Sequence, residues 1–336
     1  MKRIFFSLIM AVLCMLGSTL SAQVLVADST IAILPYFSKN DTMVYQRVHK
    51  VAQVQGADTT VTEFTVEQFM IVCTKASDKK GYRLEQTALS AEDLLESEKS
   101  DMSDKITQAM TDCMVGLKTA FTIDPNGENL AFENPQKTSK ELIRRMQSAC
   151  DSIEAAVPLL GPYIKEVVPG LFKTLVDNPT ALMNNYQEMN QLFELHGVAY
   201  DYEKPLVSET EPDPINIRPG TIQILALDRP EEGQPKQDWD DYMIVIDGTT
   251  YQDAAAAAVE NTRISTGKEV TVEQLAMILG EEMPSGEIEC NEYFENEYFG
   301  DGWPKELFYQ KSSKVGQITK LDLSQISWMS RSVGNE

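Results

Sequence analysis

The sequence predicts an α+β protein: a curved, half-barrel-like antiparallel β-sheet with a helical section, at about residues 138–196, packed on it. Three observations carry this. Apolar positions alternate with a period of two over residues 42–90 and again over 222–328. A hairpin is written into residues 121–132. Between the two β regions, apolar side chains fall at helical spacing and are interrupted by Pro and Gly.

In chain order, Phe64, Val66, Gln68, Met70 and Val72 alternate with Thr65, Glu67, Phe69 and Ile71, and Tyr82, Leu84, Gln86 and Ala88 alternate with Arg83, Glu85 and Thr87. Turn chemistry separates these strands at residues 55–58 and 77–81. Residues 101–116 read as an amphipathic helix. Then Phe121-Thr122-Ile123 and Leu130-Ala131-Phe132 flank Asp124-Pro125-Asn126-Gly127, where Pro sets φ and Asn-Gly accepts positive φ. Thr138 with Glu141 forms a capping box ahead of a stripe from Ile143 to Val157, broken by Pro158 and Gly161-Pro162. A second helix is expected over 163–176. A third begins at Asn178-Pro179, with Leu182, Tyr186, Met189 and Phe193 on one face, and ends at Gly197. Residues 200–220 are acidic and rich in proline, which suits either a linker or edge strands. Strands return near Ile222 and Tyr242, Asp253 and Thr271 open two helices, and three closing strands follow over 286–299, 305–312 and 315–328.

Residues 1–22 read as a secretory signal peptide: Lys2 and Arg3, an apolar run from Ile4 to Leu16, then small residues to Ala22. The mature chain is expected to begin near Gln23 and to form a single α+β domain over 23–336, with a subdivision near 200–220 as the alternative. The apolar run is about half the roughly 20 residues needed to span a bilayer, and no later stretch supplies a transmembrane anchor. Cys14 lacks the small residues of a lipobox. The protein is therefore expected to be exported, to a periplasmic or extracellular location.

Of the 336 residues, 29 are Lys or Arg and 51 are Asp or Glu, a net charge of −22 that falls to −24 when Lys2 and Arg3 are lost. Such a field disfavours nucleic acid and anionic membrane surfaces, whose phosphates attract concentrated positive charge. The 43% hydrophobic content supports a substantial core. Four cysteines follow the leader. Cys113 and Cys150 each sit on an apolar helical stripe, which permits a disulfide between facing helices or two buried thiols.

Catalytic and cofactor motifs are missing. His49 and His196 are the only histidines and lie far apart, with no ligand-spaced Cys or Glu, which argues against zinc. At a helix C-terminus, a partly charged His196 would suit the helix dipole and have a structural role. There is no Gly-x-Ser-x-Gly elbow. Ser265-Thr266-Gly267-Lys268 and Ser77-Asp78-Lys79-Lys80 match Ser-x-x-Lys without its companion motifs, and the Asp-rich turns at 124–128 and 301–302 lack the bidentate Glu of a calcium loop. No catalytic residue, metal ligand or cofactor is assigned. Ser29, Thr42 and Thr59 follow Asp and precede Thr or an apolar residue, a pattern that resembles bacterial O-glycosylation sites.

The order of signal peptide, antiparallel strands, helix, the Phe121-to-Phe132 hairpin, helices and further strands resembles uncharacterised exported proteins of Gram-negative bacteria. More distantly, it resembles the half-barrel of the outer-membrane lipoprotein carriers (LolA-like). That resemblance implies a non-enzymatic module holding an apolar or lipid-like ligand. Met146, Phe172, Met183, Met189 and Phe193 are the ligand-facing candidates, since Met-rich surfaces adapt to flexible ligands; ordinary core packing is the competing explanation for the same stripes. The alternative is an envelope protein that binds another protein and no small molecule. A hydrolase with an unrecognised site would require a cleft that gathers a histidine, a serine and a carboxylate.

Overall fold

The computed structural model describes residues 30–95, 112–162, 164–165, 169–170, 173, 186–201, 205–229, 241–266, 269–279 and 285–334. The period-two segments form long strands: β2 (Thr42–Gln55), β3 (Asp58–Lys75) and β4 (Tyr82–Asp93). The expected hairpin supplies β5 (Lys118–Ile123) and β6 (Ala131–Glu133). The proline-rich region gives β8 (Leu206–Glu209), an edge strand, and leads into β9 (Asn216–Arg229) beside it. β10 (Asp241–Asp253), β11 (Glu287–Tyr298), β12 (Pro304–Val315) and β13 (Ile318–Ser332) follow. These eleven strands make one antiparallel sheet that does not close, in the order β6-β5-β4-β3-β2-β13-β12-β11-β10-β9-β8. The last strand pairs with the first long one, so β2 and β13 form the middle of the sheet, and β6 and β8 are its edges. A separate pair, β1 (Thr30–Ala32) with β7 (Ala199–Asp201), completes the strands among the described residues.

The helices α1 (Pro135–Ala156), α2 (Gln187–Phe193), α3 (Ala254–Thr266) and α4 (Val272–Leu279) lie among the described residues, with a turn of 3-10 helix at Pro158–Leu160. α1 starts one turn earlier than the Thr138 capping box predicts. Asn134 takes a left-handed conformation and Pro135 occupies the first turn, where its fixed φ is already helical and its missing N–H costs nothing. Glu141 is therefore free to hold Arg144 and Arg145 instead of a cap. The Thr271–Gln274 box does form, with reciprocal backbone-to-side-chain bonds of 2.9 and 3.3 Å. The Asp253 carboxylate accepts from the Ala256 N–H at 2.9 Å. Most of the helices expected over 101–116 and 163–176, and the start of the third at 178–179, lie outside the described residues; of the first, residue 112 is helical and 113–116 form a turn, and the described residues of the second, 164–165, 169–170 and 173, are helical.

The core sits between one face of the sheet and a layer made by residues 31–37 and α2. Tyr45, Phe69, Ile71, Leu84, Phe121 and Leu307 line the sheet side; Ile31, Phe37, Met189, Leu192 and Phe193 press onto it. Burying each large side chain contributes about 1.5–3 kcal/mol. Trp303, fully buried, packs against Phe37 with ring centroids 4.1 Å apart and donates its indole N–H to Asp41 at 3.2 Å. His196 is also fully enclosed. Its Nε2 donates to the Gly302 carbonyl at 2.7 Å, and burial lowers its pKa to about 4. It is thus a neutral core side chain, and desolvation outweighs the dipole argument made from sequence. Gly127, at φ +88°, lies against it; a Cβ there would stand 2.5 Å from the His196 Cβ.

Candidate ligand-binding site

Cross-strand partners point to the same side of a sheet, so the register shows which side chains share the core-facing surface. Tyr45 pairs with Phe69, Arg47 with Glu67 and His49 with Thr65. Gln86 pairs with Ile71 on one side and Thr119 on the other. The inward face therefore begins apolar and turns polar within one strand step, at Arg47, Glu67 and Gln86. α2 is seated across this boundary and pinned at both ends. Gln86 Nε2 donates to Glu188 Oε1 at 2.7 Å, and Asn296 Nδ2 donates to the Leu192 carbonyl at 3.4 Å.

Two recesses flank the helix. The first, about 220 Å³, has β3 and β4 as its floor and Met114, Val115 and Tyr186 as its walls. Phe69, Ala88 and Ala91 supply apolar floor, while Glu67, Gln86 and Glu188 supply polar groups. A bulge where Gln68 and Phe69 face Ser90 and Ala88 lets the two strands present consecutive lining residues, a common use of bulges beside sites. Arg145 of α1 holds the wall: its guanidinium donates to the carbonyls of Cys113, Val115 and Gly116 at 3.3, 2.7 and 3.1 Å. The second recess, about 180 Å³, is bounded by Glu194, Ile222, Ile246, Glu292, Phe294 and Tyr309. Glu188 and Glu194 are six residues apart, about 9 Å along a helix, so the ends of α2 offer one carboxylate to each recess.

Both carboxylates are held above the usual range. For Glu188 the main cause is burial, opposed by the Arg47 guanidinium and the Gln86 hydrogen bond. Glu194 keeps part of its side chain in solvent, but the crowded recess and then the negative charge of Glu292 raise it to about 7. Glu292 is itself held by Lys311 at 2.6 Å and accepts from the Tyr309 hydroxyl at 3.3 Å.

The sheet also brings His49, Asp322 and Ser324 to one face. His49 Nε2 meets Asp322 at 2.9 Å, and Ser324 is the register partner of His49. This is not a nucleophile and base. Ser324 is buried, its hydroxyl accepts from Arg47 Nε at 3.2 Å, and no hydrogen bond joins it to His49. Neither residue lines either recess.

Of the ligand-facing candidates, Met189 and Phe193 are fully buried in the main core, and Met146 is buried in a smaller cluster with Cys113, Leu117 and Leu142. Phe172 and Met183 lie outside the described residues. Cys113 and Cys150 are buried, and no disulfide joins them. Thr42 donates its hydroxyl to the Asn40 carbonyl, Thr59 is exposed at the tip of β3, and Ser29 is outside the described residues. Sequence reasoning missed Gln86 and Glu188. The available signal was a polar residue at an inward strand position, Gln86 after Leu84 and Arg47 after Tyr45. Among the described residues no helix is long and apolar enough to cross a membrane, and no group of three or more potential ligands gathers for a metal.

Fold and site together define a large open antiparallel sheet with recesses on its inner face. No protein-family model matches the chain, and no curated protein matches it. Among solved structures it is similar to lipovitellin, in a study of lipid–protein interactions, with TM-score 0.40 and 8% identity over 89% of this chain and 26% of that one. The chain thus spans about a quarter of the lipovitellin chain. It is also similar to Ail, the attachment invasion locus protein of Yersinia pestis (TM-score 0.17, 5% identity, 88% of this chain and 100% of that one). A third likeness is to Salmonella typhi OmpF in complex with daunomycin (TM-score 0.21, 7% identity, 86% and 98%). At these scores none of the three carries a function across.

Proposed function

We propose that this protein is an exported, non-enzymatic binding module that holds an apolar or lipid-like ligand against the inner face of its half-barrel-like sheet. The observation that carries this reading is the first recess, in which Phe69, Ala88, Ala91, Met114, Val115 and Tyr186 surround an open volume next to the packed core. Its size, about 220 Å³, is below the roughly 300–1,000 Å³ of drug-sized ligand sites. The ligand is therefore small, or only one part of it enters. Export rests on the basic, apolar and small-residue pattern of residues 1–22.

A protein-interaction role in the cell envelope is the second reading, favoured by the edge strand β8, where Leu206 and Val207 are exposed beside unpaired backbone. Native mass spectrometry of the mature protein, purified without detergent and then extracted with organic solvent, separates the two. A stoichiometric apolar molecule is expected. A bare polypeptide that also takes up no added lipid would favour the second reading.

A further inference from the structure

The first recess holds more acceptors than its neighbours satisfy. Glu188 is 6% exposed and Gln86 3%, yet Glu188 Oε2 and Gln86 Oε1 accept no hydrogen bond. Both residues line the recess. Native proteins rarely leave such groups unpaired, because each orphaned buried acceptor costs about 1–3 kcal/mol.

The nearest cation does not settle the account. Arg47 Nη1 stands 3.7 Å from Glu188 Oε2, beyond hydrogen-bond distance, and 3.5 Å from Glu67 Oε2, while its Nε is committed to Ser324. One guanidinium thus faces two carboxylates, Glu67 and Glu188. Glu92 and Asp93 at the same recess add further negative charge. The uncharged lining includes Thr65, Gln68 and Ser90, and its apolar part, Phe69, Ala88, Ala91, Met114, Val115 and Tyr186, contains two aromatic rings, Phe69 and Tyr186, whose faces also favour a cation. A buried acceptor pair, an excess of negative charge and an apolar wall together select one ligand chemistry.

Building on the binding-module reading, we propose that this recess takes the ammonium head of an amphipathic amine, with Glu188 Oε2 and Gln86 Oε1 accepting its N–H groups and the Phe69–Met114–Tyr186 wall covering its first methylenes. A carboxylate head would meet repulsion, and an alcohol could donate only one hydrogen bond and no charge.

The test titrates the mature full-length chain at pH 7 with n-octylammonium, n-octanol and n-octanoate by calorimetry, for the natural protein and for Glu188→Gln. n-Octylammonium is expected to bind about tenfold or more tighter than n-octanol, the fold-change of one hydrogen bond to a charged group. Glu188→Gln is expected to erase that preference. The carbon-13 shift of the Glu188 carboxyl on adding n-octylammonium reads the same contact without any substitution. n-Octanol binding as well as n-octylammonium, or a Glu188 carboxyl that does not respond, would overturn the amine assignment and leave the apolar module standing. Failure of all three probes to bind would overturn both.

Discussion

Acidification should weaken this fold through one side chain, His196. Burial lowers its pKa from 6.5 to about 4, while in the unfolded chain it titrates at its ordinary value. Between those values the unfolded state binds a proton that the folded state refuses. The stabilising contribution is therefore complete above pH 6.5 and is lost as the pH falls to about 4. The full gap of about 2.5 units is worth about 3 kcal/mol, and about 2 kcal/mol of it is gone by pH 4.5. Glu188 and Glu194, with raised values, act in the opposite sense: their contribution is present below the ordinary Glu range and is lost as the pH rises through their folded values. A raw pH profile mixes these effects, so the assay is a difference. Urea unfolding of the natural protein and of His196→Gln, whose amide can still donate to the Gly302 carbonyl, is compared at pH 7, 5.5 and 4.5. The stability gap between the two should narrow by about 2 kcal/mol on going to pH 4.5. Parallel profiles would refute a neutral, desolvated His196.

Other perturbations address the site and its supports. Carbon-13 titration of Glu194 should give a midpoint of about 7, and Glu292→Gln should lower it, because the Glu292 charge is the second cause of the shift. Arg145→Met should cost about 1–2 kcal/mol by urea unfolding and speed amide exchange over residues 113–117, since three carbonyls lose a charged donor. Gly127→Ala should cost about 2 kcal/mol or more, combining positive-φ strain with the close approach to His196; a midpoint unchanged from the natural protein would show that this turn yields freely.

Much of the secondary structure was legible because its causes are local. Alternation at 64–72 and 82–88, the capping box at Thr271 and Gln274, and the Asp253 cap each act within a few residues. Where two local signals competed, the sequence was ambiguous. At the start of α1, Asn134-Pro135 prevailed over Thr138-Glu141 by fixing the backbone one turn earlier. In β3 both faces carry apolar residues, Val66 and Met70 on one, Phe69 and Ile71 on the other, and alternation alone does not say which faces the core. The site was less legible still. Gln86 and Glu188 are 102 residues apart, and Arg47 reaches Ser324 across 277.

The antiparallel α+β sheet, most of its strands and turns, the acidic balance and the shortage of catalytic motifs are all written in composition or in neighbours along the chain. Folding in three dimensions is what joins β13 to β2 in the middle of the sheet, makes His196 a neutral core residue, and brings an unsatisfied Glu188 and Gln86 into one recess. Each of these depends on which distant groups exclude water from one another, and desolvation is set by three-dimensional neighbours that no local pattern encodes.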